Sequence, residues 1–137
     1  MVKSSLKKKR KRKKKCRYHR GEYVSSKTGE LCRYRSGWEE KYMMYLDSNP
    51  NVKSWTYEQT VIEYVSNIRA KKVRRYYPDF YVKYHDDSEE IIEIKPKRKL
   101  EQAIIKKKAE AARQWCSDRR MTYRILTEIE LKDIGLL

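Results

Sequence analysis

The sequence predicts an α/β fold in which a mixed sheet packs with helices. Three patterns support this class: a capped helix signal near residue 36, three runs of β-branched and aromatic residues after it, and a long amphipathic segment followed by one more such run. The predicted order is helix, three strands, helix, strand, helix. A length of 137 residues fits one domain with one core.

The first elements follow from local signals. Residues 21–34 contain scattered Gly, Ser and Thr residues, so they predict a loop or a loose hairpin. Ser36 with Glu39 three residues later forms a capping-box pattern, which predicts the start of a helix. Apolar and aromatic residues follow at helical spacing, and Asn49-Pro50-Asn51 ends them.

The strands come next. Residues 52–65 predict one broken strand or two short ones, and Asn67 to Lys72 forms a basic connection. We expect further strands over Val73–Tyr84 and Glu89–Lys95, joined by a turn, with Pro96 ending the second.

The C-terminal elements are a helix, a strand and a short helix. Residues 99–118 predict the longest helix, followed by a strand over Thr122–Thr127 and a helix that starts at Thr127 and Glu128. The side of the long helix that we expect to be buried carries Leu100, Ala103, Ile104, Ala111, Ala112 and Trp115.

The charge distribution divides the chain into two parts. There are 35 Lys and Arg against 19 Asp and Glu, a net charge of +16, which indicates a polyanionic partner such as DNA. Residues 1–20 hold 12 of the basic residues and no acid, which predicts a disordered DNA-binding tail ahead of a domain at 21–137. A solubilising tail or a nuclear-import-like run is the alternative. The proposed phosphate contacts in the tail are Lys7, Lys8, Lys9, Arg10, Lys11, Arg12, Lys13, Lys14 and Lys15.

Cysteine usage and hydropathy indicate a reduced, intracellular protein. Cys16, Cys32 and Cys116 are odd in number and widely spaced, unlike a disulfide framework. Cys16, His19 and Cys32 are one ligand short of a structural zinc site. No segment resembles a membrane span or a signal peptide, so we expect no membrane association.

Two short motifs carry acidic residues where strands are predicted. On the strand of Glu93 and Lys95, alternate residues share a face, so both side chains point one way while Ile92 and Ile94 point the other. A hairpin turn near Asp86 and Asp87 places Asp79 opposite Glu93. Two adjacent carboxylates repel each other unless a divalent cation lies between them, and magnesium favours such sites.

Other interpretations remain for each of these residues. Glu93 and Lys95 would also suit an exposed strand with a surface ion pair. Asp79 would suit a turn after Pro78, and Glu39 is explained by a capping box alone.

Pro78-Asp79, thirteen residues and then Glu93-Ile94-Lys95 resemble the PD-(D/E)xK nuclease signature. The resemblance implies a restriction-endonuclease-like core (helix, three strands, helix, strand) with a mixed central sheet. It also implies that Asp79 and Glu93 bind Mg²⁺ (or Mn²⁺), that the Ile94 carbonyl faces the metal, and that Lys95 is catalytic.

A longer resemblance covers about residues 33–131. Arg35-Ser36-Gly37-Trp38-Glu39, Arg75-Tyr76-Tyr77-Pro78-Asp79-Phe80 and Tyr123-Arg124-Ile125-Leu126-Thr127-Glu128 are similar to TnsA-type endonucleases and to small head-completion nucleases of T-even-like phages. This implies that Glu39 joins the catalytic and metal-binding set. TnsA-type subunits carry a further C-terminal domain, whereas this chain ends at Leu137, which favours the phage type.

The function that we expect is metal-dependent hydrolysis of DNA, in phage head completion or DNA maturation. Alternatives are a TnsA-like transposase or homing-type subunit with a targeting partner, and a catalytically idle DNA-binding structural protein. Expected partners are DNA, phage head or portal proteins, and a second copy in a homodimer. The expected location is the host cytoplasm, with the virion as an alternative. Near the site, the expected DNA contacts are Arg35, Arg74, Arg75, Lys97 and Arg98.

Overall fold

A computed structural model describes residues 19–137 of the chain. The predicted tail contacts from Lys7 to Lys15 therefore lie outside the described residues, and their role stays a prediction. The helices are α1 (Gly37–Ser48), α2 (Ala103–Asp118) and α3 (Glu128–Asp133). The strands are β1 (Gly21–Val24), β2 (Leu31–Tyr34), β3 (Val52–Tyr57), β4 (Ile62–Asn67), β5 (Lys72–Tyr76), β6 (Phe80–Tyr84), β7 (Glu89–Ile94) and β8 (Thr122–Leu126).

The central sheet has four strands in the order β3-β6-β7-β8. β3, β6 and β7 are antiparallel neighbours, and β8 pairs with β7 in parallel after the crossover through α2. The sheet is therefore mixed, which confirms the predicted α/β class and the order of its core elements. Two hairpins, β1–β2 and β4–β5, lie outside this sheet.

The main core lies between α1 and the central sheet. Tyr42, Met43 and Leu46 of α1 are almost fully buried and belong to one cluster with Trp55 and Phe80 of the sheet. Burying side chains of this size contributes about 1.5–3 kcal/mol each. This packing positions the first turn of α1, where Glu39 lies, beside the sheet.

The β1–β2 hairpin confirms the loose hairpin expected at residues 21–34, and Asp47 of α1 anchors it. The Asp47 carboxylate accepts hydrogen bonds from Tyr23 Oη at 2.6 Å, Ser25 Oγ at 2.7 Å, the Ser26 amide at 2.8 Å and Trp55 Nε1 at 2.8 Å. Burial alone would raise the pKa of Asp47, but these donors outweigh it and hold the pKa below its usual value.

The single strand predicted over Val73–Tyr84 is wrong. The chain forms β5 and β6 with a break at Tyr77-Pro78-Asp79. Pro78 has no N–H for a strand ladder, and the two halves have different partners: β5 pairs with β4, whereas β6 pairs with β3 and β7. Asp79 consequently lies at the junction of two sheets.

The predicted extent and buried side of the long helix are also partly wrong. Residues Lys97–Lys99 form a 3-10 turn, and α2 begins only at Ala103. The buried residues of α2 are Ala109, Ala112 and Cys116, whereas Ala103 and Ile104 are exposed. The later turns of α2 pack on β4 and β8, so its first turn contributes little to the core.

Candidate active site

Asp79 and Glu93 meet where β6 begins and β7 ends. Phe80 pairs with Ile92 in the sheet, so the next position outward sets Asp79 opposite Glu93, as predicted. The Asp79 amide donates to Glu93 Oε1 at 3.3 Å, and the Ile94 amide donates to Asp79 Oδ2 at 2.8 Å. Only 6% of Asp79 and 8% of Glu93 is exposed to solvent.

The Asp79 carboxyl is held in a strongly unfavourable electrostatic environment. Burial raises its pKa well above the usual value, and the nearby carboxylates of Glu93 and Glu39 raise it further. The Ile94 amide and the Lys95 ammonium act in the opposite direction without cancelling these effects. A site of this kind gains free energy from a cation placed against its carboxylates.

Lys95 lies beside the pair, one residue beyond the end of β7. Its Nζ is 3.3 Å from Glu93 Oε2, and its side chain is about one-quarter exposed. The Lys95 amide donates to the Leu126 carbonyl at 3.0 Å, which ties this end of the strand to β8. A fixed ammonium is thereby placed at the rim of a buried carboxylate pair.

Tyr76 is a member of this cluster that the sequence did not predict. Its hydroxyl donates to Glu93 Oε1 at 2.7 Å and lies 3.0 Å from Tyr123 Oη. Burial, followed by the charge of Glu93, raises the pKa of Tyr76 far above the physiological range, so the hydroxyl stays protonated. The signal that could have revealed it is the strand break after Tyr76, which turns the end of β5 toward the site.

Glu39 approaches from the first turn of α1. Ser36 caps the helix by accepting from the Glu39 amide at 3.1 Å, as predicted, but the reciprocal half of the capping box is absent. Glu39 Oε1 instead accepts from the Arg35 amide at 2.8 Å and from Tyr57 Oη at 2.7 Å. Tyr57 lies on strand β3, so these two contacts tie the Glu39 carboxylate both to the sheet and to the residue that precedes the helix cap.

The donor set fits a magnesium ion. Within the described residues, no three or more His, Cys, Asp or Glu side chains form a metal-binding group, so Glu39 is not gathered with Asp79 and Glu93 into one cage. Mg²⁺ does not require one, because it is commonly held by one or two carboxylates, with waters and phosphate oxygens completing six ligands. The repelling pair of Asp79 and Glu93 supplies those two carboxylates. Metal contacts of Glu39 and of the Ile94 carbonyl stay predictions.

The site opens into a cleft of about 450 Å³. The acidic residues Asp79, Glu93 and Glu39 line its floor, together with Tyr76 and Ile94. The basic residues of the cleft outnumber the acidic ones and are Arg20, Arg35, Arg75, Lys95, Lys99 and Lys108. A polyanion is therefore attracted to the cleft even though the floor is acidic.

The predicted DNA contacts divide into two groups by position. Arg35 and Arg75 line the cleft, and Arg35 also pairs with Glu58. Arg74, Lys97 and Arg98 are exposed but lie outside the cleft lining. Three cleft residues were not named individually as predicted contacts: Lys99, Lys108 and Arg20, of which Arg20 belongs to the predicted DNA-binding tail. Lys108 lies on α2, with its ammonium 5.4 Å from the centre of the Tyr76 ring.

Comparison with known proteins identifies the family. The family model described as TnsA-like endonuclease N terminal matches residues 49–128, more than half of the chain. The chain belongs to the TnsA-like endonuclease family. The matched segment contains Asp79, Glu93 and Lys95 but not Glu39. The head completion nuclease of Enterobacteria phage T4 is 34% identical over an alignment length of 124, and the alignment covers 74% of this chain and 82% of the relative.

The protein has a second, larger cleft at the other end of the sheet. It has a volume of about 860 Å³ and is lined by Asp86, Glu89 and Glu90, with Arg120 as its basic residue. Its charge is therefore unsuited to nucleic acid, in contrast to the smaller cleft. In the described part of the chain, no helix is both long and apolar enough to cross a membrane.

Proposed function

We propose that the protein is a Mg²⁺- or Mn²⁺-dependent endonuclease that hydrolyses phosphodiester bonds of DNA. The observation that carries the proposal is the buried pair of Asp79 and Glu93, with the Lys95 ammonium 3.3 Å from Glu93, at the floor of a cationic cleft. Membership of an endonuclease family makes DNA the natural polyanion for that cleft.

Each group has a distinct task in this reaction. Asp79 and Glu93 would hold the metal ion, which supplies positive charge for the scissile phosphate and lowers the pKa of a bound water. The Ile94 amide fixes one oxygen of Asp79, and Tyr76 fixes one oxygen of Glu93, so both carboxylates are oriented before substrate arrives. Lys95, whose ammonium lies 3.3 Å from Glu93, would stabilise the negative charge that develops on the phosphate.

The wall of the cleft orients the DNA backbone. Arg75, Lys99 and Lys108 surround the acidic floor and suit contacts with phosphate oxygens on either side of the cleaved bond. Such contacts carry no sequence information, so we infer cleavage with little sequence preference. The Glu39 carboxylate adds negative charge near Asp79, which would favour binding of a metal cation there.

The biological role that we propose is cutting or trimming of DNA during phage head completion. It is supported by 34% identity to the head completion nuclease of phage T4, over 82% of that protein's length. Head or portal proteins are the proposed protein partners, acting in the host cytoplasm or on the virion. A TnsA-like subunit that cuts only with a targeting partner is the second candidate, which the family match favours.

The experiment is cleavage of supercoiled plasmid DNA by the purified full chain. We expect nicking or linearisation with Mg²⁺ or Mn²⁺, no cutting with EDTA, and loss of cutting in Asp79→Ala. Asp86→Ala is the matched control, because it removes an exposed carboxylate at the other end of the sheet. Cutting by the isolated chain favours the stand-alone role, and cutting only after a partner is added favours the second candidate. DNA binding without cutting under either condition would contradict nuclease function.

A further inference from the structure

The β4–β5 hairpin has one covered face and one free face. Ile62, Tyr64 and Tyr76 are buried against Ala112 of α2. Since alternate residues point to opposite faces, Val65 and the cross-strand residues Val73 and Arg75 belong to the other side. All of β5 from Lys72 to Arg75 is exposed, so nothing in the described chain covers that side.

The hairpin is strongly cationic. Residues 62–76 contain one acid, Glu63, and five basic residues, all of them exposed: Arg69, Lys71, Lys72, Arg74 and Arg75. Within the described residues, none of these five forms an ion pair. Lys107 of α2 donates to the Ser66 carbonyl at 2.7 Å, which brings one more positive charge beside the tip. Unpaired positive charge concentrated in this way matches a polyanion.

The tip also carries an unusually exposed apolar residue. Ile68 is 82% exposed, while Val65 and Val73 are 48% and 56% exposed on the strands below it. A two-stranded ribbon is narrow enough to enter the major groove of duplex DNA. Apolar side chains within such a ribbon can contact base edges or sugars while the flanking cations contact phosphates.

The position of the hairpin relates it to the active site. Arg75 lines the catalytic cleft, whereas Arg69 lies six residues away at the tip. The strand from Arg75 to Lys72 spans about 10 Å at 3.3 Å per residue, and the turn of residues 68–71 adds a few ångströms, so the tip lies roughly 15 Å from Arg75. Duplex DNA rises 3.4 Å per base pair, so this distance corresponds to about four base pairs.

We propose that the β4–β5 hairpin is a second contact element for duplex DNA, which binds the duplex about four base pairs from the cleaved bond. Arg69, Lys71 and Lys72 contact phosphates, and Ile68 enters the groove. The inference rests on the proposed nuclease function, because the position of the hairpin is measured from that cleft. It names duplex, rather than single-stranded or sharply branched DNA, as the preferred substrate.

The test compares a triple variant with a matched control. Arg69→Gln, Lys71→Gln and Lys72→Gln together remove three charges from the tip. The control, Lys41→Gln, Lys53→Gln and Lys132→Gln, removes three exposed charges from α1, β3 and α3. Binding to a fluorescein-labelled 30-base-pair duplex is measured by anisotropy between 50 and 200 mM salt, without metal.

The triple variant should bind more weakly, and its plot of log affinity against log salt should be less steep by about 3, one for each lost phosphate contact. The control should keep the wild-type slope. Ile68→Ser should weaken binding with no change in slope, because it removes no charge. A triple variant whose slope lies within 1 of the wild type would overturn the proposal.

A cleavage assay separates this proposal from the nuclease function. With Mg²⁺, the triple variant should cut an eight-base-pair duplex as fast as the wild type and a 30-base-pair duplex more slowly. If the triple variant and the wild type cut both duplexes at equal rates, the proposed role of the hairpin is wrong, whereas nuclease function is unaffected. If the wild type cuts neither duplex, the proposed stand-alone nuclease function fails, and the binding slopes still decide whether the hairpin contacts DNA.

Discussion

The Tyr76 hydroxyl should set the metal concentration that the proposed DNA cleavage requires. Tyr76→Phe removes the 2.7 Å hydrogen bond to Glu93 Oε1 and leaves the ring in place. A hydrogen bond to a charged group contributes about 1.5–3 kcal/mol, and each 1.4 kcal/mol corresponds to a factor of ten. If that free energy orients Glu93 for metal binding, the Mg²⁺ concentration for half-maximal plasmid cleavage should rise about tenfold to a hundredfold, the usual effect of losing an outer-shell partner.

Strand β7, which carries Glu93, offers a matched control at its other end. Tyr84 Oη donates to Glu90 Oε1, also at 2.7 Å, and Glu90 is as buried as Glu93 but lies at the acidic end of the sheet. Tyr84→Phe should therefore cost comparable stability with no change in metal requirement. The concentration of Mn²⁺ that produces half of the metal-dependent thermal stabilisation gives a second readout without DNA. An unchanged metal requirement in Tyr76→Phe, or an equal rise in both variants, would show that Tyr76 does not position Glu93.

Three further predictions concern stability and DNA binding. Asp47→Ala leaves Ser25 and Trp55, both almost fully buried, without an acceptor and should cost about 3 kcal/mol, lowering Tm by roughly 10 °C in calorimetry. The pKa of Asp47 is lower in the folded protein than in the unfolded chain, where it is about 3.9. The ionised carboxylate therefore stabilises the folded state above that pH, and this contribution is lost as the pH falls further. The Tm difference between wild type and Asp47→Ala should accordingly narrow below about pH 4. Deleting residues 1–18, which hold 11 of the 35 basic residues, should weaken duplex binding and flatten its salt dependence in anisotropy titrations, and unchanged binding would leave the tail a solubility role.

The sequence predicted the geometry of the site better than that of its surroundings. Alternation along β7 placed Glu93 and Lys95 on one face, and the turn before it set Asp79 opposite Glu93, because strand period and hairpin register are local properties. The position of Glu39 depended on family resemblance, since its spacing from Ser36 suits a helix cap equally well. In the structure the Glu39 carboxylate accepts hydrogen bonds from the Arg35 amide and the Tyr57 hydroxyl. The bond from Tyr57 depends on how α1 packs on the sheet.

The errors arose where tertiary partners decide the structure. Between Val73 and Tyr84 the chain passes from one sheet to another, and Pro78 is the one residue in the sequence that indicates this. One strand was therefore predicted where two exist. Nothing in the sequence distinguishes Tyr76 from the other eleven tyrosines, and its contact with Glu93 can be inferred only once the strand break is known. The buried side of α2 was misjudged because Ile104 fits the helical period but lies beyond the elements that cover the later turns.

The role of Lys95 decides whether this site carries out DNA hydrolysis. The measurement is the rate of plasmid nicking by wild type and by Lys95→Ala, with Mg²⁺ and protein both saturating, and with the bound fraction of DNA checked separately. We expect the variant to bind DNA about as well as the wild type while its cleavage falls by at least a hundredfold, within the range typical of a lost electrostatic contact in a transition state. Cleavage by Lys95→Ala at the wild-type rate would contradict the assignment of this cluster as the active site.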